Sequence, residues 1–187
     1  MYRPIITLSR KAGQSIMTNG SIQLRTPTEQ EYHSFFRHYQ SDPYLSMHPF
    51  IYSQEQVSRS YHYQYDLIRN DYRHYGIFLE QRMIGCFQLK RIDPLKRRCE
   101  FGIILQDQSV RGHGYGTEAV KAGMLIAKSQ FCVRYYLGDT MSINEPMKKV
   151  FAKLGFTLIE EVPNAFRQQG ISADRLIYQK DLGETDQ

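Results

Sequence analysis

The chain has 187 residues, a length that suffices for one domain with a sizeable hydrophobic core. Hydrophobic residues make up 41% and charged residues 23%, which excludes an intrinsically disordered protein. Apolar runs are short and interrupted by charges, so the sequence predicts no membrane span, and we recognise no signal peptide. The three cysteines lack the spacing of metal ligands and indicate a reducing compartment, so we expect a cytoplasmic protein without a metal ion.

The formal net charge of +5 favours the binding of anions such as nucleotides, phosphorylated cofactors or RNA. The positive charge is dispersed, however, and the densest basic run is Lys96-Arg97-Arg98. A run this short does not indicate a stripe that binds nucleic acid, so association with RNA or the ribosome is an alternative that the sequence does not favour.

The first part of the chain predicts a strand followed by two helices. Residues 1–20 show no clear period and are expected to be loosely held. Ser21 to Arg25 alternates polar and apolar residues as a strand does, and Thr28 with Glu31 forms a capping box that opens a helix near residue 29. A second helix is predicted over residues 54–69. Its many tyrosines are expected to be packing residues, with a substrate wall or a homodimer surface as the alternative.

The rest of the chain alternates strands and helices. Strands are predicted over residues 75–79, 83–90, 99–106, 135–140, 156–162 and 175–180. Helices are predicted over residues 119–128, with a largely apolar surface, and from residue 144 or 145 to a C-terminal cap at Gly155. The pattern is an α+β fold in one domain, residues 21–181, with a mixed sheet of six or seven strands, about four helices and a tail over 182–187.

One loop carries chemical information. The segment Arg111-Gly112-His113-Gly114-Tyr115-Gly116 lies between a predicted strand and a predicted helix. Glycines let a backbone approach a ligand closely, and the positive end of a helix dipole favours a pyrophosphate. The spacing fits neither a dinucleotide-binding fingerprint nor the phosphate-binding loop of NTPases.

The loop instead contains the pattern R-x-x-G-x-G, formed by Arg111, Gly114 and Gly116. A second motif follows, with Asn144 opening a helix that ends in the sequence Lys-Leu-Gly-Phe at residues 153–156. Together these motifs resemble the GCN5-related N-acetyltransferase (GNAT) superfamily, in the branch of ribosomal-protein N-terminal, polyamine and antibiotic acetyltransferases. The resemblance implies acetyl-coenzyme A as co-substrate and a primary amine of a protein N-terminus or small molecule as acceptor.

The resemblance also implies a cofactor site. In the family, the pantetheine arm lies along the end of the strand before the loop, which corresponds here to Ile104, Leu105 and Gln106. The pyrophosphate contacts the loop and the start of its helix, which corresponds to Arg111, Gly112, His113, Gly114, Tyr115, Gly116 and Thr117. Asn144 occupies a position that commonly touches the cofactor, and it is equally suited to cap its helix.

The catalytic groups are less evident. Glu100 is the one carboxylate in the strand before the loop, so it is the candidate general base, with an ion pair to Arg97 or Arg98 as the alternative. Family members often place a tyrosine or a serine at the positions of Phe151 and Met147 to protonate the leaving thiolate. Neither residue can donate a proton, so a non-catalytic acyl-coenzyme A-binding module is the alternative function.

Overall fold

A computed structural model describes residues 16–17, 20–42, 49–67, 69–168 and 171–184 of the chain. Within these ranges the chain forms one mixed sheet of eight strands together with four helices. The first strand is only two residues long, so the other seven agree with the predicted α+β architecture. In the described part of the chain, no helix has the length and apolar character needed to cross a membrane.

The strands are β1 (Ile16–Met17), β2 (Ile22–Arg25), β3 (Tyr72–Leu79), β4 (Arg82–Asp93), β5 (Arg98–Leu105), β6 (Tyr135–Met141), β7 (Thr157–Gln168) and β8 (Ile171–Asp181). The helices are α1 (Glu29–Arg37), α2 (Gln54–Tyr65), α3 (Tyr115–Phe131) and α4 (Glu145–Lys153). The predicted capping box opens α1, with both the Thr28 and the Glu31 side chains accepting backbone N–H groups.

The strands follow the order β1-β2-β3-β4-β5-β6-β8-β7. Neighbouring strands are antiparallel except β5 and β6, which run parallel. Only residues 98–100 of β5 pair with residues 135–137 of β6. Beyond these pairs the two strands part, although β5 continues to Leu105 and β6 to Met141. An opening therefore forms within the sheet.

Helix α3 packs tightly on one face of the sheet. A Cβ atom at Gly123 would lie 2.2 Å from Cζ of Phe87 and 2.6 Å from the hydroxyl of Tyr136. A side chain at this position would therefore push the helix away from the sheet. The same face holds the larger apolar cluster, which includes Leu24, Ile84, Phe101, Val120, Ile126 and Phe156.

Several predicted boundaries were displaced by a few residues. Helix α2 ends at Tyr65 and not at residue 69, since Asp66 forms its C-terminal cap and a carboxylate is unfavourable at that end of a helix dipole. Strand β4 passes through the predicted break at residues 92–95 as far as Asp93, because Arg91 adopts a φ of 52° at an irregularity of the ladder. Strand β7 continues through Pro163, which an edge strand tolerates.

The predicted loose N-terminal segment lies outside the described residues except at its end. There Ile16–Met17 pairs with β2, and residue 20 leads into that strand. Residues 185–187 of the predicted tail also lie outside the described residues.

Helices α1 and α2 cover the opposite face of the sheet through a second apolar cluster, formed by Tyr32, Phe35, Val57, Phe78, Met83 and Cys86. His74 of β3 stacks on Tyr65 of α2, with ring centroids 5.1 Å apart. Its side chain is buried, and neither ring nitrogen has a hydrogen-bond partner among the described residues. Burial lowers the pKa of His74 to about 4. Tyr65 of α2 thus packs on a neutral imidazole, as do Tyr32 of α1 and Tyr72 of β3.

Acid should destabilise the protein through His74. In the unfolded chain this imidazole takes up a proton near its ordinary pKa of about 6.5, whereas in the folded protein it does so only near a pKa of about 4. The unfolded state therefore binds more protons between these values, and stability falls as the pH drops through this window, by up to about 3 kcal/mol. In His74→Phe the fall between pH 6.5 and 4, measured by urea unfolding, should be smaller by this amount. Equal pH dependence of the two proteins would contradict the assignment.

Candidate active site

A cavity of about 1060 Å³ occupies the opening between β5 and β6. Its walls come from β4, β5 and β6, from the loop before α3, and from α4. From residue 101 onward β5 has no strand partner on the side facing β6, so its backbone groups on that side must find other partners. Residues from both faces of the sheet reach the cavity, because the strands have parted there.

The glycine loop forms one part of the wall. Gly112 and Gly114 have φ values of 81° and 90°, a region that glycine adopts readily and other residues rarely do. A Cβ atom at either position would have no neighbour within 4 Å, so the backbone faces open space. Gly114 is the N-cap of α3, and no side chain caps this helix. The amide groups of the first turn are therefore left to bind an anion.

The side chains of the loop differ in where they lie. Gly112, Gly114, Gly116 and Thr117 line the cavity. His113 is exposed and stacks on Tyr115, with ring centroids 5.8 Å apart, and Tyr115 packs against the larger apolar cluster. Neither of these two rings is part of the cavity wall.

Arg111 lines the cavity, but its guanidinium group is held by the protein. One terminal nitrogen donates to the carbonyl oxygens of Gln40 and Leu105, both at 3.1 Å. Its Nε lies 3.7 Å from a carboxylate oxygen of Asp42. Arg111 thus ties the glycine loop to the end of β5 and to the segment that follows α1. It also neutralises Asp42 at this end of the cavity.

Three residues at the end of β5 were predicted to bind the cofactor, and two of them, Ile104 and Leu105, line the cavity. Gln106 does not, because its side-chain amide is buried and donates to the carbonyl oxygen of Phe35 at 3.1 Å. Its backbone N–H donates to Ile84, and its carbonyl accepts from Gln40. Gln106 therefore holds α1 against the sheet.

Helix α4 contributes polar groups to the opposite wall. The Oδ1 atom of Asn144 accepts the N–H of Met147 at 3.1 Å, so Asn144 caps the helix, and it also lines the cavity. Lys149 and Lys153 line the cavity as well and place positive charge on this wall. Asn144 can therefore cap its helix and still face a cofactor in the cavity.

Glu100 belongs to the last residue pair that joins β5 to β6, with Leu137 as its partner, but it is not part of the cavity wall. Both of its carboxylate oxygens accept from Arg91, at 2.8 and 3.0 Å. The ion pair considered from the sequence therefore exists with a different arginine, from β4, and not with Arg97 or Arg98. The partner follows from the register between β4 and β5, which the sequence did not reveal.

A second carboxylate near the same point was missed by the sequence reasoning. Asp139 of β6 lines the cavity just beyond the point where β5 and β6 part. Its Oδ2 accepts from Nε of Arg175 at 2.8 Å, and its Oδ1 lies 3.9 Å from Nζ of Lys90. The one sequence signal was an acidic residue inside a strand that is otherwise uncharged.

Phe151 lies in the core beneath the cavity and does not border it. Its side chain is fully buried and stacks on Tyr178, with ring centroids 4.3 Å apart. Met147, at the other position considered for an acid, does line the cavity. In the described ranges of the chain, no cluster of three or more His, Cys, Asp or Glu side chains could hold a metal ion.

Adding a hydroxyl group at residue 151 should destabilise the protein. In Phe151→Tyr the new group would be buried among aromatic rings, which costs about 1–3 kcal/mol where no partner is found. Chemical denaturation measures this loss. Phe50→Tyr, on a ring that is partly exposed, is the matched control and should change stability by no more than about 0.5 kcal/mol. A fully stable Phe151→Tyr protein would contradict the core position.

The structure thus combines two parted strands, a glycine loop that no side chain caps and a cavity between them. The family model of the acetyltransferase (GNAT) domain matches residues 21–157. This match covers more than half of the chain, so the chain belongs to the GNAT family of acetyltransferases. No curated protein matches the sequence significantly.

Solved structures with the same fold share little sequence with this chain. RimL, a ribosomal L7/L12 alpha-N-protein acetyltransferase in complex with coenzyme A, has a TM-score of 0.75 and 20% identity, covering 90% of this chain and 98% of its own. The microcin C7 self-immunity acetyltransferase MccE, in complex with acetyl-CoA and AMP, has a TM-score of 0.76 and 19% identity, covering 91% and 97%. A chimera of the spermidine N-acetyltransferase SpeG from Vibrio cholerae and hSSAT has a TM-score of 0.75 and 15% identity, covering 87% of this chain and 96% of its own.

Proposed function

We propose that the chain transfers an acetyl group from acetyl-coenzyme A to a primary amine of a protein N-terminus or a small molecule. The observation that supports this most is one cavity that contains both an uncapped helix N-terminus and a carboxylate at the point where β5 and β6 part. A donor with a pyrophosphate and a long arm fits the first feature, and an amine fits the second.

The pyrophosphate of the donor would receive the N–H groups of the glycine loop and of the first turn of α3. These groups have no side-chain competitor, since Gly114 leaves the helix uncapped. The arm would follow Ile104 and Leu105 along the unpaired edge of β5. Lys149 and Lys153 on the opposite wall would attract the remaining phosphate charge.

The acceptor must lose a proton before its nitrogen can attack. We assign this proton to Asp139, because Asp139 lines the cavity and Glu100 does not. The ammonium group passes a proton to the carboxylate, the nitrogen bonds to the acetyl carbon, and the bond from that carbon to sulfur breaks. The nitrogen then loses a further proton to the departing thiolate. Acetyl-coenzyme A supplies a leaving group stable enough to depart without a protein acid such as a tyrosine at residue 151.

Gly116→Asp should weaken donor binding strongly and leave the fold intact. A Cβ atom at residue 116 would lie 3.8 Å or more from its neighbours, and aspartate is favourable in the first turn of a helix. The new carboxylate would repel the pyrophosphate, so the Kd for coenzyme A should rise about 100-fold or more.

Gly116→Asn, similar in size but uncharged, is the control and should weaken binding much less. Calorimetry gives both affinities, and circular dichroism reports the fold. Unchanged affinity in folded Gly116→Asp would remove the loop from the donor site.

Asp139→Asn and Glu100→Gln form a matched pair, because each replaces a carboxylate with an amide of the same shape. Asp139→Asn should lower kcat by about 100-fold or more, the usual effect of losing a general base. Glu100→Gln should lower kcat much less, since Glu100 does not line the cavity. Its ion pair is with Arg91, whose side chain is largely exposed, and such a pair contributes little. Coenzyme A release measures turnover, and calorimetry should show similar donor affinity for both. The reverse order of the two losses would assign the proton to Glu100.

A further inference from the structure

We infer that the accepted amine carries a carboxylate close to its nitrogen, and that Lys90 selects this group. The inference rests on the proposed function, because it concerns the acceptor of the same transfer. It starts from the charges that lie where β5 and β6 part, on the face of the sheet that α1 and α2 cover.

Lys90 is placed on this face by the alternation of β4. Cys86, Gln88 and Lys90 all line the cavity, and Cys86 belongs to the cluster beneath α1 and α2. The Lys90 side chain is 33% exposed, and its Nζ lies 3.9 Å from Oδ1 of Asp139. This distance is too long for a hydrogen bond, so the three N–H donors of the ammonium group can serve a ligand.

The charges around this point do not cancel. Asp139 lies between the two cations Lys90 and Arg175, which leaves one positive charge in excess. Glu100 is already paired with Arg91. The other carboxylate that lines the cavity, Asp42, lies beside Arg111 at the glycine loop. In the described part of the chain, the cavity wall therefore offers no second carboxylate to a second cationic group of an acceptor.

The residues outside the described ranges contain one acidic side chain, that of Asp186. Residues 1–15, 18–19, 43–48, 68 and 169–170 contain no aspartate or glutamate. An acceptor with several positive charges, such as a polyamine, would thus meet net positive charge.

An amine with a nearby carboxylate has the matching arrangement. Its ammonium group would approach Asp139, and its carboxylate would approach Lys90. The side chains of Asp139 and Lys90 carry opposite charges and are neighbours in the cavity. Such an amine has two sources, a free amino acid or the N-terminal residue of a protein with an acidic side chain. The chemistry at Lys90 is the same for both, so the experiment has an arm for each.

The first arm compares β-alanine with β-alaninamide, and the second compares tetrapeptide amides that begin with aspartate or asparagine. Spermidine is tested beside both pairs as an acceptor with several positive charges. The wild-type protein should show a kcat/KM at least about tenfold higher for the carboxylated member of one pair, mainly through KM, and the lowest value for spermidine. The arm that shows this preference identifies the source.

Lys90→Met should reduce the ratio of kcat/KM values within the preferred pair by about tenfold, equivalent to 1.4 kcal/mol. Lys96→Met is the matched control, because this lysine is exposed on the turn between β4 and β5 and should keep the ratio. Acetylation of spermidine or of the neutral amines as fast as the carboxylated ones would overturn the inference alone, as would a Lys90→Met protein with the wild-type ratio. A protein that binds coenzyme A but acetylates no acceptor would overturn the proposed function, and the inference with it.

Discussion

The parting of β5 from β6 is the constraint on which the rest of the structure depends. A sheet normally satisfies its backbone groups by pairing strands, and here the pairing stops after residue 100 in β5 and residue 137 in β6. The exposed edges run through the middle of the sheet, where a protein would otherwise have solid core. A molecule that enters between them can form backbone hydrogen bonds and still reach both faces of the sheet.

Close packing on either side keeps this opening in place. Gly123 brings α3 against Phe87, and at Gly138 of β6 a Cβ atom would lie 2.4 Å from the ring of Phe101. Phe101 also contacts Phe151 and Phe156, so the aromatic rings of α4 and its following turn fix the start of the gap. Because these contacts leave no room for larger residues, the site can be rigid although its backbone is unpaired.

The charges of the cavity are separated in a way that suits two different ligands. The wall near the glycine loop and α4 presents N–H groups and lysines, which favour a phosphorylated donor. The point where the strands part presents Asp139 between Lys90 and Arg175. Under the proposed function, each end of the cavity would bind one substrate, and the donor's arm along the unpaired edge of β5 would bring the acetyl group to the amine.

The local motifs were determined by the sequence alone. The capping box of Thr28, the glycines before α3 and the cap at Asn144 act within a few residues, so their patterns predict their positions. The pairing of Glu100 with Arg91, the position of Asp139 beside Lys90 and Arg175, and the burial of Phe151 were decided only by the tertiary structure. The two ion pairs depend on strand register, between β4 and β5 for Glu100 and between β6 and β8 for Asp139, and a shift by one residue would turn every side chain of a strand to the other face. The burial of Phe151 depends on how α4 packs against the sheet.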